Sequence, residues 1–118
     1  RNWAWWDGDL LRETFKGDDN RWGASSSSNG RSLSIVKWKG ETLTQDIEGD
    51  ILMIADLYGD WREEIITALP GEIRIYTTNL PAKDRRTTLM QDGIYRSYVA
   101  HRSMGYPQAP VPSYYLGE

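Results

Sequence analysis

The order Gly-Asp-x-x-x-Glu occurs twice in this chain, at Gly8-Asp9 with Glu13 and at Gly59-Asp60 with Glu64, 51 residues apart. A chain of 118 residues has room for two units at that interval and no more. Self-similarity at roughly 20–50 residues marks arrays in which each unit buries its apolar face against the next. Residues 5–13 align without a gap on 56–64, so Trp5, Asp7, Asp9 and Glu13 stand over Asp56, Tyr58, Asp60 and Glu64.

The segments around the second loop read as short strands. Residues 51–55 form a wholly apolar run that fits a strand buried on both faces, and 72–78 alternate with a period of two. Between residues 64–69 and 72–78 stands Leu69-Pro70-Gly71-Glu72. Proline suits the second position of a type II turn and glycine the third, which predicts a hairpin. Residues 86–90 supply a fourth run, and four short antiparallel strands make one propeller blade. Upstream, residues 3–6, 10–15 and 33–38 are strand-like, separated by a turn cluster at 17–20 and a Ser-rich loop at 25–30. After Asp92-Gly93, apolar positions Ile94, Tyr95, Tyr98 and Val99 fit a short helix. Pro107, Pro110 and Pro112 then interrupt regular structure before a last strand expected within 113–117. The fold class expected is all-β, built of antiparallel four-stranded blades.

Charge and composition narrow the partners. The formal charge is −3, and no basic run exceeds Arg85-Arg86, which gives no electrostatic footprint for nucleic acid. No apolar run approaches the ~20 residues of a membrane helix, so no membrane partner is expected. Without cysteine there is neither a disulfide nor a thiolate metal site. The chain opens Arg1-Asn2-Trp3, expected to be a cut or processed end. Six Trp and seven Tyr stand against one Phe. Two readings of them stand: platforms that stack sugar rings, or a sheet core with locally satisfied polar tips.

The two acidic loops resemble the D-x-D-G-D-x-x-x-[DE] calcium loop of FG-GAP-type propeller repeats. The first keeps Asp7, Asp9 and Glu13 with Trp5 at position one; the second keeps Asp56, Asp60 and Glu64 with Tyr58 at position three. A hard cation needs such spacing because a tight turn at glycine points alternate oxygens inward. These six carboxylates are the candidate Ca²⁺ ligands. The other reading is that they cap turns and pair with Arg12 and Arg62.

Over nearly its whole length the chain also resembles the C-terminal part of rhamnogalacturonan lyases of polysaccharide lyase family 11. The resemblance rests on residues 5–13, on Ala55-Asp56 through Glu64-Ile65, on Arg74 through Pro81, on Thr88-Leu89-Met90-Gln91-Asp92 with Tyr95-Arg96, and on the closing Tyr114-Tyr115-Leu116-Gly117. It implies a large eight-bladed β-propeller that binds several Ca²⁺ ions and cleaves the alternating rhamnose and galacturonate backbone of pectin by β-elimination. Residues 1–118 would then be the final blades of a longer, secreted or periplasmic chain, packed on its N-terminal blades. The substrate expected is rhamnogalacturonan or a related uronate-containing polysaccharide.

The family's cleft loop, A-Y-N-Q-P-P, corresponds to Gly105-Tyr106-Pro107-Gln108-Ala109-Pro110. The resemblance makes Gly105, Tyr106 and Gln108 substrate contacts, while Pro107 removes the carbonyl and amide of an asparagine. β-Elimination needs a base and a group that neutralises the uronate carboxylate. His101 and Arg102 are the catalytic candidates nearby, with Arg96 as a carboxylate clamp. Against these stand a hydrogen-bonded structural histidine and arginines on a solvated face. The competing function is a carbohydrate-binding propeller without catalysis.

Overall fold

The computed structural model describes residues 3–9, 11–16, 32–37, 40–81, 85–104, 109–114 and 116. Strands β1 (Trp3–Ala4), β2 (Glu13–Lys16), β3 (Ser32–Val36) and β4 (Thr42–Glu48) form one antiparallel sheet in sequence order. Strands β5 (Asp50–Ala55), β6 (Glu64–Leu69) and β7 (Glu72–Tyr76) form a second. A single 3-10 turn, Leu89–Gln91, and helix α1 (Gly93–Ser103) follow. The all-β antiparallel expectation holds, with α1 as the expected helix.

Apolar residues of both halves meet in one cluster: Ala4, Trp6, Phe15, Leu33, Ile35 and Ile47 from the first, Ile54 and Ile65 from the second. Gly49 alone separates β4 from β5, at φ +103. A Cβ there would lie 2.7 Å from the Ala68 carbonyl oxygen and 2.8 Å from Leu69 Cδ1. Only glycine combines that dihedral with that approach. The hairpin at Pro70-Gly71 forms as predicted, with Gly71 at φ +78 and Leu69 opposite Glu72.

Three expectations change. Residues 86–90 do not pair as a fourth strand. Thr88 Oγ1 and Leu89 N–H donate to Asp56 Oδ2, and Met90 N–H donates to Thr88 Oγ1, so those groups serve the second acidic loop instead of a ladder. Of the run 10–15, residue 10 lies outside the described residues and the strand starts only at Glu13, because Asp9 Oδ1 takes the Leu11 N–H. Ser113, Tyr114 and Leu116 lie in bends and a turn, and no strand closes the described chain. One strand, β4, went unforeseen. Asp46 at φ +64 inserts a bulge that breaks its alternation. The turn cluster at 17–20 and the loop at 25–30 lie outside the described residues. No described helix is long and apolar enough to cross a membrane.

Candidate functional site

The two Gly-Asp loops occupy equivalent corners, each joining the first and second strand of its sheet. Ala4 pairs with Glu13 and Ala55 with Glu64, the same register 51 residues on. Within each loop the same bonds recur. Glu13 Oε2 accepts the Trp6 N–H at 2.8 Å, and Glu64 Oε2 accepts the Leu57 N–H at 2.7 Å. Asp9 Oδ1 accepts from Leu11 N–H at 2.7 Å, and Asp60 Oδ1 from Arg62 N–H at 3.2 Å. Gly8 and Gly59 turn the chain at φ +88 and +78. The repeat read from sequence is therefore a repeat of hydrogen bonds: carboxylates satisfy backbone donors that a tight turn leaves without a strand partner.

The loops differ in what neutralises them. In the first, oxygens of Asp7, Asp9 and Glu13 lie within 4.8 Å of one another. Lys37 Nζ sits on two of these acids, 2.5 Å from Asp7 Oδ2 and 2.9 Å from Asp9 Oδ2. Burial raises the Glu13 carboxyl to about 7, partly offset by the Trp6 N–H. In the second, Asp56 accepts from Gly59 N–H, Trp61 N–H, Thr88 Oγ1 and Leu89 N–H. Asp60 pairs with Arg62, 2.6 Å from its Nη2. Asp56, Asp60 and Glu64 form no convergent metal cluster among the described residues. A calcium ion takes about six to eight oxygens. The second set is already spent on protein donors, and the first holds an ammonium, so neither donor set fits the expected ion. The turn-capping reading holds for both loops and the pairing reading for Arg62. Arg12 goes elsewhere.

That destination was not foreseen. The aligned positions 12 and 63 carry opposite charges, and they meet where the loops touch. The Arg12 guanidinium stacks 3.8 Å above the Trp5 ring and donates to the Pro110 carbonyl at 2.6 Å. Glu63 is 1% exposed; its oxygens accept from Trp5 N–H at 3.0 Å and Tyr95 O–H at 2.6 Å, while its own N–H donates to the Trp5 carbonyl. Burial pushes the Glu63 carboxyl up to about 7, and the Arg12 charge works against that rise. Tyr95 O–H also accepts from Asp56 N–H at 3.0 Å, and burial raises its pKa strongly. Trp5, Trp61, Leu89, Tyr95 and Leu116 close an apolar cluster around this junction. These aromatics follow the core reading, whereas Tyr58 and Tyr114 stay exposed. The mismatch of Arg12 against Glu63 in an otherwise matched repeat was the available signal.

The catalytic candidates sit on α1. Asp92 caps the helix by accepting from Ile94 N–H. Arg96 donates to the carbonyls of Met90 and Gln91, and Arg102 to those of Leu52 and Ile51 on β5. Arg102 thus docks α1 on the sheet, and Arg96 ties it to the 3-10 turn. His101 is exposed on the last helical turn. Gly105, Tyr106 and Gln108 lie outside the described residues. Beside the helix N-terminus, Arg85, Arg86, Gln91 and Tyr114 line a cleft of about 500 Å³.

Comparison with known proteins gives a consistent result. The profile of the rhamnogalacturonan lyase family 11 C-terminal domain matches residues 1–118. The rhamnogalacturonan endolyase YesW of Bacillus subtilis strain 168 is 40% identical over 116 residues, covering 97% of this chain and 18% of the relative. The rhamnogalacturonan exolyase YesX of the same strain is 36% identical over 124 residues, covering 96% and 20%. The crystal structure of exotype lyase YesX superposes with a TM-score of 0.75 at 34% identity over 97% of this chain and 20% of that one. A rhamnogalacturonan lyase structure from Bacillus licheniformis gives 0.72 at 32% identity with the same coverage. The chain thus spans about a fifth of the length of the relatives it matches.

Proposed function

The chain belongs to rhamnogalacturonan lyase family 11, whose C-terminal domain it matches from end to end, and we propose that the protein carrying it cleaves rhamnogalacturonan by β-elimination. The observation that carries this reading is the match over the whole chain to an endolyase and an exolyase at 40% and 36% identity. The paired corners support a finer reading, in which the two sheets are successive blades of a β-propeller completed by N-terminal blades. A polymeric substrate of this kind is met outside the cytoplasm, which supports a secreted or periplasmic location.

In the reaction, a base removes the weakly acidic proton from the carbon beside the uronate carboxylate. The electron pair forms a carbon–carbon double bond as the bond to the glycosidic oxygen breaks, and the departing oxygen takes up a proton to leave as a hydroxyl. Stabilising the developing negative charge requires a cation or donors near the carboxylate. Arg96 and Arg102 already hold backbone carbonyls. On this reading they position α1, and Tyr106 and Gln108 contact the polymer with His101 nearby as the candidate proton acceptor. Neutralising the carboxylate then falls to residues of other blades.

The full-length protein incubated with rhamnogalacturonan tests the reading. Growth of ultraviolet absorbance from the unsaturated uronate is the expected result. Retained binding to the polymer with no such product would leave the carbohydrate-binding propeller in its place.

A further inference from the structure

We infer that Lys37 is the resident cation of the first acidic loop: its ammonium stands where the family resemblance leads one to expect calcium, and the loop takes up no metal while that amine is present. The contacts are those of a bound cation, with Nζ 2.5 Å from Asp7 and 2.9 Å from Asp9. The backbone delivers it there. Lys37 follows β3 directly, and its N–H and carbonyl are fixed by Glu41 and Gly40 in the turn to β4.

The second sheet shows that this placement belongs to the corner itself. Val36 pairs with Thr14, and Tyr76 pairs with Ile65, the residue 51 positions beyond Thr14. Lys37 and Thr77 are therefore equivalent, each one residue past the third strand. Thr77 Oγ1 donates to Glu64 Oε1 at 3.4 Å, so the same position turns a donor toward the acids of both loops. A hydroxyl serves where position three is Tyr58. An ammonium serves where position three is Asp7, and it bridges that carboxylate to Asp9.

The remaining positions agree. Trp5 at position one offers no oxygen, and its ring carries the Arg12 guanidinium, a second cation on that flank. A divalent ion would have to expel Lys37 from two ion pairs before it could reach the carboxylates of Asp7 and Asp9. Removing the amine while keeping the aliphatic stem unmasks the carboxylates.

Metal content of the full-length protein, dialysed against calcium, decides between the two cations. The expectation is an unchanged calcium count in Asp9→Asn and Lys37→Arg, and one additional ion in Lys37→Met that the double variant Lys37→Met/Asp9→Asn loses. Trp-sensitised terbium emission, with Trp5 and Trp6 beside the loop, should show the new site in Lys37→Met at least tenfold tighter than any terbium binding there in the wild type. The thermal midpoint of Lys37→Met should rise with added calcium by more than that of the wild type. A calcium count lower by one in Asp9→Asn, or no added ion in Lys37→Met, overturns the inference. If Lys37→Met does not fold, the Asp9→Asn count settles it alone, since that side chain is 42% exposed and tolerates the change.

Discussion

Glu63 shows how one side chain couples two corners. It is the first acid of the Glu63-Glu64 pair, and only its neighbour Glu64 belongs to the repeat. Its carboxyl is buried against Trp5 N–H and Tyr95 O–H with a pKa near 7, which means the fold prefers the protonated form. Between pH 4.5 and 7 the folded chain then holds more protons than the unfolded one, so stability falls as pH rises through that window and levels above it. Denaturant titrations at several pH values should show this slope in the wild type. Glu63→Gln should flatten it by as much as one proton, about 1.4 kcal/mol per pH unit. An unchanged slope would place the proton elsewhere, with Glu13, whose carboxyl is also raised to about 7, the next residue to substitute.

At the scale of elements, what holds strands and helix in place is backbone chemistry that side chains complete. Gly49→Ala puts a Cβ against the Ala68 carbonyl oxygen at a φ of +103. The dihedral alone costs about 1–2 kcal/mol, and with the clash the thermal midpoint should drop sharply; a midpoint within error of the wild type would contradict the tight β4–β5 joint. Arg102→Ala removes the donors to Leu52 and Ile51. It should cost about 1–3 kcal/mol and speed hydrogen exchange in α1, with activity per folded molecule retained; loss of turnover at full stability would return Arg102 to catalysis. The sequence made part of this legible. The period of two marked β7, Pro70-Gly71 marked its hairpin, and Asp92-Gly93 marked the start of α1, because those signals are local. The diversion of residues 86–90 depends on a partner far along the chain, and the β4 bulge on a register shift against β3 that no residue pattern announces. Asp56 lies 32 residues before Thr88, and nothing near Thr88 announces it. The acidic corners were visible as a repeat, yet whether a metal or a side chain fills them depends on Lys37, which no motif includes.

For the whole molecule, the chain spans about a fifth of the length of the lyases it matches, and several large apolar side chains stand on its surface. Ile73 and Ile75 of β7 are 68% and 49% exposed on a strand whose outer edge has no described partner. If a neighbouring blade covers them, Ile73→Asp should destabilise the full-length protein by about 2 kcal/mol or more while leaving the isolated segment nearly unchanged. On the function proposed above, these two corners are scaffold for an elimination site that other blades complete. Mass spectrometry of the products made from rhamnogalacturonan by the full-length protein and by residues 1–118 alone tests it most directly. Unsaturated fragments, each one water lighter than a hydrolysis product, are expected from the full-length protein and none from the segment. Hydrolysis-type fragments from the full-length protein, or unsaturated fragments from the segment by itself, would contradict it.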